Sequence, residues 1–199
     1  CRQFKIKQKV VRTNELHNKD FSSNPRNRCY FCKKELFTKL KLIAMQNRIK
    51  YIIDASNADD RRDFRPGSKA KDELGILSPL DKAGMTKGEI RLLSKRLNLP
   101  SWNRPQMACL ASRIPYGDKI TQKRLKRIEK AEDFLRTRLG VGGNIRVRDY
   151  GQMARIEVDK SNIPLLVREN CCVSRLKRFG FQYIVVDLEG YRTGSMNKE

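Results

Sequence analysis

The hydrophobic pattern of the chain changes across residues 101–119, and that change limits how it can fold. Before it, short apolar runs alternate with helix-period segments and polar loops. That alternation marks an α/β sheet, whose functional loops follow the carboxyl ends of its strands. After it come a helix-period segment, two period-2 segments, another helix and a final strand. The order α-β-β-α-β predicts a small α+β domain. Trp102, Pro105, Pro115 and Gly117 mark the junction. The expected domains are therefore 1–105 and 106–199.

Individual elements follow from local spacing. Phe4–Val11 reads as a short strand and residues 18–28 as a loop. A helix opens at Cys29 with Cys32, Leu36, Leu40 and Ile43 on one face. Tyr51–Asp54 reads as a buried parallel strand, and Ala55–Lys71 as a long polar loop. Thr86 with Glu89 forms a capping box, opening a helix with Ile90, Leu93 and Leu97 that stops before Pro100. In the second half, Thr121 caps a helix carrying Leu125, Ile128, Leu135 and Leu139. Residues 145–148 and 154–158 alternate around Gly151, as in a hairpin. A two-residue turn at Gly151-Gln152 would set Arg148 opposite Arg155 and Arg146 opposite Glu157. Residues 161–179 read as one helix and 183–188 as a strand.

Composition removes several functional classes. The chain has 199 residues, with 44 Lys+Arg against 22 Asp+Glu, a formal net charge of +22. Its 39% hydrophobic content is too high for a disordered polycation. No apolar run is long enough to span a membrane. Six cysteines in this length fall well below disulfide-scaffold density. The first residues are polar and basic, with no apolar leader. A cytoplasmic, reducing setting is expected, where grouped cysteines serve metals or catalysis. The charge is not a tail: residues 1–50 hold 14 basic and 3 acidic side chains, and residues 121–148 hold 9 and 3. Both stretches carry apolar periodicity, so these cations lie on faces of folded elements. Such charge points to a polyanion nearby without naming it.

Several constellations carry chemistry. Cys29-x-x-Cys32 stands at a helix start, where the helix dipole and Arg28, Lys33 and Lys34 favour thiolates. Two thiols cannot close a structural zinc site, and Cys109, in a loop beside anion-binding groups, is the best third ligand. An incidental pair at a helix start is the plain alternative. Cys171-Cys172 lies within a helix pattern and reads as core packing. Glu132 occupies an inward position of its helix, where a carboxylate needs a partner or a task. The plain alternative there is an ion pair with an arginine. Arg146 and Arg148 share one face of a strand, and converging guanidiniums suit a phosphate. Ser112-Arg113, before a Pro-rigidified turn, suits the same ligand. Asp60, Asp63 and Arg65, beyond a strand end, suit Mg²⁺ or a nucleotide. Gly140-Val-Gly-Gly143 reads as a turn.

These residues sit within an ordered motif set: Cys29-Tyr-Phe-Cys32-Lys-Lys, Asp63-Phe-Arg-Pro-Gly67, Ser78-Pro-Leu, Thr86-Lys-Gly-Glu-Ile-Arg91, Leu99-Pro-x-Trp102, Ala108-Cys-Leu-Ala-Ser-Arg-Ile-Pro-Tyr-Gly117, Arg146-Val-Arg148, Ala154-Arg-Ile-Glu157 and Gly190-Tyr-Arg-x-Gly-Ser-Met-Asn197. Together they resemble the LarE family of ATP-dependent sulfur transferases, within the PP-loop ATP pyrophosphatase superfamily. The resemblance implies a partial Rossmann-like (adenine nucleotide alpha hydrolase-like) PP-loop domain followed by the small α+β domain. It implies adenylylation of a carboxylate of a pyridinium biscarboxylate mononucleotide and its replacement by a thiocarboxylate. The product feeds a nickel-pincer cofactor. In one branch of the family a single cysteine gives up its sulfur; in another three cysteines hold a [4Fe-4S] cluster. Cys29, Cys32 and Cys109 fall at the three matching positions, which implies the cluster branch. The same matching assigns Ser112, Arg113, Arg146 and Arg148 to the substrate phosphate, and makes Cys109 and Glu132 catalytic. ATP, Mg²⁺ and the cluster are the implied cofactors.

The family's SGGxDS-type loop does not occur in these residues, and the chain begins at Cys1. The expectation is a chain that starts part-way through the PP-loop domain and is inactive alone. A homo-oligomer acting on a small nucleotide is expected, with nucleic acid the disfavoured partner. The competing expectations are a cluster-bearing tRNA thiolase and a non-catalytic remnant.

Overall fold

Helix α6 (Gln122–Thr137) and the hairpin of β1 (Ile145–Tyr150) and β2 (Met153–Val158) organise the second half of the chain. The computed structural model describes residues 4–104 and 107–197, the side chains of Asn170 and Asn197 excepted. Thr121 caps α6 by accepting from the backbone N–H of Arg124 at 3.2 Å. The helix buries Ile128, Ala131 and Leu135 completely. β1 and β2 pair antiparallel from Ile145↔Val158 to Tyr150↔Met153. Gly151 sits at φ 75°, the left-handed conformation that a two-residue hairpin loop requires. Arg146 faces Glu157 and Arg148 faces Arg155, the register the alternation predicts.

β1 is buried along nearly its whole length, arginines included. Ile145 and Val147 enter a core with Ala131, Leu135, Ile156, Val158, Leu176 and Phe181. A third strand, β3 (Tyr183–Val186), pairs parallel to β2. Helices α7 (Ile163–Arg168) and α8 (Asn170–Arg178) supply the crossover that a parallel pair needs. The single helix expected over 161–179 is corrected: it breaks at Glu169, which is extended at φ −87°, ψ 93°. Leu166 and Cys172 explain the break. On one straight helix they would point about 120° apart, yet both are buried in one core.

The first half is largely helical: α1 (Lys19–Ser22), α2 (Arg28–Gln46), α3 (Gly67–Glu73), α4 (Pro79–Lys82) and α5 (Lys87–Arg96). α1 and α3 lie in segments expected to be loops. The Thr86/Glu89 capping box forms in full at the start of α5. α2 buries Phe37 and Ala44, while Cys32, Leu36, Leu40 and Ile43 are half-buried. Gly67 opens α3 against the first turn of α2; a Cβ there would stand 3.3 Å from the Cys29 carbonyl oxygen.

Two expected strands are corrected. Tyr51–Asp54 contributes one parallel bridge, Ile53↔Leu77, and Tyr51 and Ile53 are 60% and 65% exposed. Phe4–Val11 forms no strand, and Phe4, Ile6 and Val10 are exposed. Period-2 alternation supplies a face, but a strand also needs a partner for its N–H and C=O groups. No described segment pairs with Phe4–Val11.

Helices and strands are thus mixed, consistent with α/β. The described residues fall into two compact units divided between Trp102 and Asn103. The boundary expected at 105/106 lies outside the described residues. Among those described, no helix is long and apolar enough to cross a membrane.

Candidate active site

Cys109 precedes a short 3-10 turn, Leu110–Arg113, that enters the second unit's core through Ala111 and Arg113. The thiol is exposed while Arg113 is 3% exposed. Ser112 Oγ donates to the Cys109 carbonyl at 2.8 Å. Arg113 Nη1 donates to the carbonyls of Ala108 and Cys109 at 2.8 and 2.9 Å. Its Nε and Nη2 form a fork onto Glu132, at 2.8 and 3.0 Å. Glu132 Oε1 also accepts from the Val147 backbone N–H at 3.0 Å. One buried ion pair thus ties the Cys109 loop to α6 and β1. Glu132 has the arginine partner that its inward position demanded.

Cys109, Leu110, Arg113, Glu132, Arg136 and Arg146 line a recess of about 600 Å³. Arg146 is 5% exposed, with its guanidinium 5.0 Å from the Tyr191 ring centroid. Burial, and then the charge of Arg113, hold its pKa below the ordinary arginine value. Four arginines (Arg104, Arg113, Arg136 and Arg146) against three carboxylates (Glu129, Glu132 and Asp133) line the recess, and the excess of one positive charge suits it to an anion.

Arg148 points its Nη2 at Glu157 Oε2 (2.6 Å) and Ser195 Oγ (2.9 Å), and its Nη1 at the Ser112 carbonyl (3.2 Å). Its Nε is buried with no hydrogen-bond partner among the described residues. Glu157 is fully buried and also accepts from Arg155 at 3.2 Å. Burial alone would raise its pKa; the hydrogen bond and charge of Arg148, with Ser195 and Arg155, outweigh burial and lower it. The structure therefore gathers Cys109, Arg113, Glu132 and Arg146 at one recess. Ser112 and Arg148 join them through a backbone contact but do not line it.

In the first unit, Cys29 and Cys32 are half-buried in the opening turn of α2. Asp60, Asp63 and Arg65 also come together: Arg65 reaches Asp60 at 2.8 Å and Asp63 at 3.3 Å. Asp60 also accepts from the Asn57 backbone N–H, closing a capping box. A larger hub was missed by sequence reasoning. Asp54 accepts from Ser56 Oγ and Ser78 Oγ, each at 2.6 Å, with Lys33 and Lys71 Nζ at 3.7 and 4.0 Å. Burial pushes the Asp54 pKa up, but these donors outweigh it and the net shift is downward. Asp54 stood at an expected strand end; Lys71 carried no sequence signal.

Within each unit, the described residues hold no group of three or more His, Cys, Asp or Glu able to take a metal ion. The donor chemistry of Cys29 and Cys32 still fits iron: two thiols one helical turn apart, under a helix N-terminus.

An exposed thiol and a buried guanidinium thus meet at one recess of a chain that mixes helices and strands. No protein-family model matches the chain. It is 43% identical to the uncharacterized protein slr1717 of Synechocystis sp. over 97% of its own length and 72% of that protein's. It is 31% identical to the uncharacterized protein MJ0830 of Methanocaldococcus jannaschii, over 97% of this chain and 73% of that one. It is 34% identical to the pyridinium-3,5-bisthiocarboxylic acid mononucleotide synthase of Lactiplantibacillus plantarum, over 92% of this chain and 66% of the synthase. The chain belongs to the family that these proteins share. It spans roughly two thirds to three quarters of their lengths.

Proposed function

We propose that this chain carries the substrate-binding and sulfur-delivering part of an ATP-dependent sulfur transferase. The enzyme converts carboxylates of a pyridinium biscarboxylate mononucleotide to thiocarboxylates, on the way to a nickel-pincer cofactor. The observation that carries the reading is the exposed Cys109 on a recess with buried Arg146, in a chain related to a synthase of that name.

Arg146 holds the mononucleotide phosphate, and Arg148, committed to Glu157, Ser195 and the Ser112 carbonyl, adds positive charge and braces the Ser112–Arg113 turn from behind the recess. Ser112 adds a hydroxyl. Arg113, committed to Glu132 and two carbonyls, contributes charge beside the phosphate and fixes the loop of Cys109. The substrate carboxylate attacks the α-phosphorus of ATP, releasing pyrophosphate. A sulfur nucleophile then displaces AMP from the acyl adenylate, leaving the thiocarboxylate. Glu132 keeps the site oriented. Asp60, Asp63 and Arg65 belong to the nucleotide and Mg²⁺ side of the reaction, in the Rossmann-like PP-loop domain.

Cys29, Cys32 and Cys109 would hold a [4Fe-4S] cluster, which supplies the transferred sulfur as sulfide when bound. The protein works as a cytoplasmic homo-oligomer. The test is anaerobic reconstitution, followed by iron analysis of the chain and mass spectrometry of substrate incubated with ATP, the chain and a separately supplied PP-loop ATP-binding domain. The expected result is iron bound in proportion to protein and oxygen-to-sulfur exchange in the product, both lost in Cys109→Ala. An iron-free protein that exchanges no oxygen for sulfur would overturn the reading.

A further inference from the structure

The second unit holds another recess, of about 430 Å³, on an adjacent face of α6. Lys123, Lys126 and Lys130 form one wall. Arg178, at the end of α8, faces them, and Gln122, Arg127 and Phe179 complete the lining. No carboxylate lines it. The three lysines and Arg178 are exposed and form no ion pair among the described residues. Glu129 and Asp133, close by in sequence, line the Cys109 recess instead. The helix thus sorts its charge, with its acidic side chains on one recess and its lysines on the other.

Like charges gathered from two elements repel unless an anion lies between them. The recess is also braced. Asp149, fully buried, binds Arg127 through both carboxylate oxygens and Arg124 at 3.1 Å. Arg127 donates to the carbonyls of Gly180 and Gly151 and stacks 4.5 Å from the Phe181 centroid. These bonds fix Arg127 as the floor, beneath lysines whose side chains stay exposed.

We propose that this face of α6 and α8 is a docking surface for the phosphate backbone of RNA, read without base specificity. Lys123 to Lys130 span about 10 Å along the helix axis, so their charges meet several phosphates rather than one. Lysine ammoniums act as separate point charges, suited to a run of phosphates more than to one bidentate anion. Phe179 is not a stacking platform for bases: Phe134 meets it edge-on at 6.3 Å and the Arg175 guanidinium lies 5.3 Å from its centroid. The recess has no exposed apolar side chain to enter a bilayer. The site also gives a use to part of the +22 net charge. It is independent of the sulfur-transfer reading, because none of its cations lines the Cys109 recess.

The test is fluorescence anisotropy of a labelled oligouridylate with the full chain, over about 50 to 200 mM salt. Binding of the wild type should weaken linearly in log–log form. Replacing Lys123, Lys126 and Lys130 by Gln together should lower the slope by about 2, at about 0.7 per single-strand phosphate. Arg178→Gln, on the other wall, should lower it by about 0.7. Lys19→Gln, Lys41→Gln and Lys82→Gln together remove the same charge from exposed positions of the first unit and should leave the slope unchanged. Circular dichroism melts check that each variant folds. Equal losses from both triple variants would reduce the effect to net charge and overturn the proposal. So would a triple variant that loses affinity for inorganic pyrophosphate or phosphatidylserine vesicles while keeping RNA.

Discussion

Arg113 and Glu132 form a two-point ion pair, Nε to Oε1 at 2.8 Å and Nη2 to Oε2 at 3.0 Å, with side chains 4% and 12% exposed. The same arginine holds the carbonyls of Ala108 and Cys109. Removing one partner of a buried pair strands the other charge, so Glu132→Ala should cost about 3–5 kcal/mol in urea unfolding. Arg113→Lys keeps the charge but loses the fork. It should unfold less readily than Glu132→Ala and still alkylate faster at Cys109, read by peptide mass mapping, because the loop carbonyls lose their donors. Unchanged Cys109 alkylation in both variants would deny the clamp.

Glu157 ties stability to acid pH. Its pKa is lowered from an ordinary value of 4.5. A depressed carboxylate contributes stability above its unfolded pKa and loses it as pH falls through the folded one. Stability should therefore decline below about pH 4.5 in steps that include this group. Glu157→Gln should be less stable at pH 7, since Arg148 and Arg155 lose their counter-charge, and its stability should fall less steeply below that pH. Chemical denaturation across that range measures both.

The second unit was far more legible in the sequence than the first. Period-2 alternation around Gly151 predicted the Arg146↔Glu157 and Arg148↔Arg155 register, because a two-residue turn leaves no other pairing. The Thr86/Glu89 box was legible because its four positions interact locally. The misread strands, Phe4–Val11 and Tyr51–Asp54, depended on ladder partners that no local pattern reveals. At the recess, residue types pointed to Cys109, Arg146 and Glu132. The choice of Glu132 by Arg113, and of Glu157 by Arg148, depends on close approach of segments far apart in sequence. The Asp54 hub was hidden for the same reason, since Lys33, Lys71 and Ser78 arrive from three different segments.

Gly67 separates close approach from backbone freedom. A Cβ there would meet Lys33 Cδ at 2.9 Å and the Cys29 carbonyl at 3.3 Å. The lysine can move, but the carbonyl belongs to α2. Gly67→Ala should cost about 1–3 kcal/mol as overpacking and disturb the turn that carries Cys29 and Cys32. Gly88 lies inside α5 with Thr86 Oγ1 no nearer than 4.0 Å. Gly88→Ala should instead stabilise by about 0.4–1 kcal/mol, by restricting the unfolded chain. Thermal melts of the two variants should move in opposite directions.

Cys171 and Cys172 are neighbours with opposite exposure, and alkylation should tell them apart. Cys172 is 2% exposed, in a core with Leu176 and Phe181. Burial, with the charges of Cys171 and Glu169, pushes its pKa from 9.0 up to about 11. At pH 8 only about one thousandth of it would be thiolate, against about a tenth for an unperturbed thiol. Cys171 is exposed, its sulfur 3.8 Å from Glu169 Oε2. Iodoacetamide at pH 8 should therefore label Cys109 and Cys171 in the folded chain and spare Cys172, which should react only after denaturant unfolds the second unit. Labelling of Cys172 at the rate of Cys171 would mean that α8 does not stay packed on the sheet. Cys172→Ser, which puts a hydroxyl into that apolar core, should destabilise the chain by about 1–3 kcal/mol, whereas Cys171→Ser should change it by less than about 0.5 kcal/mol.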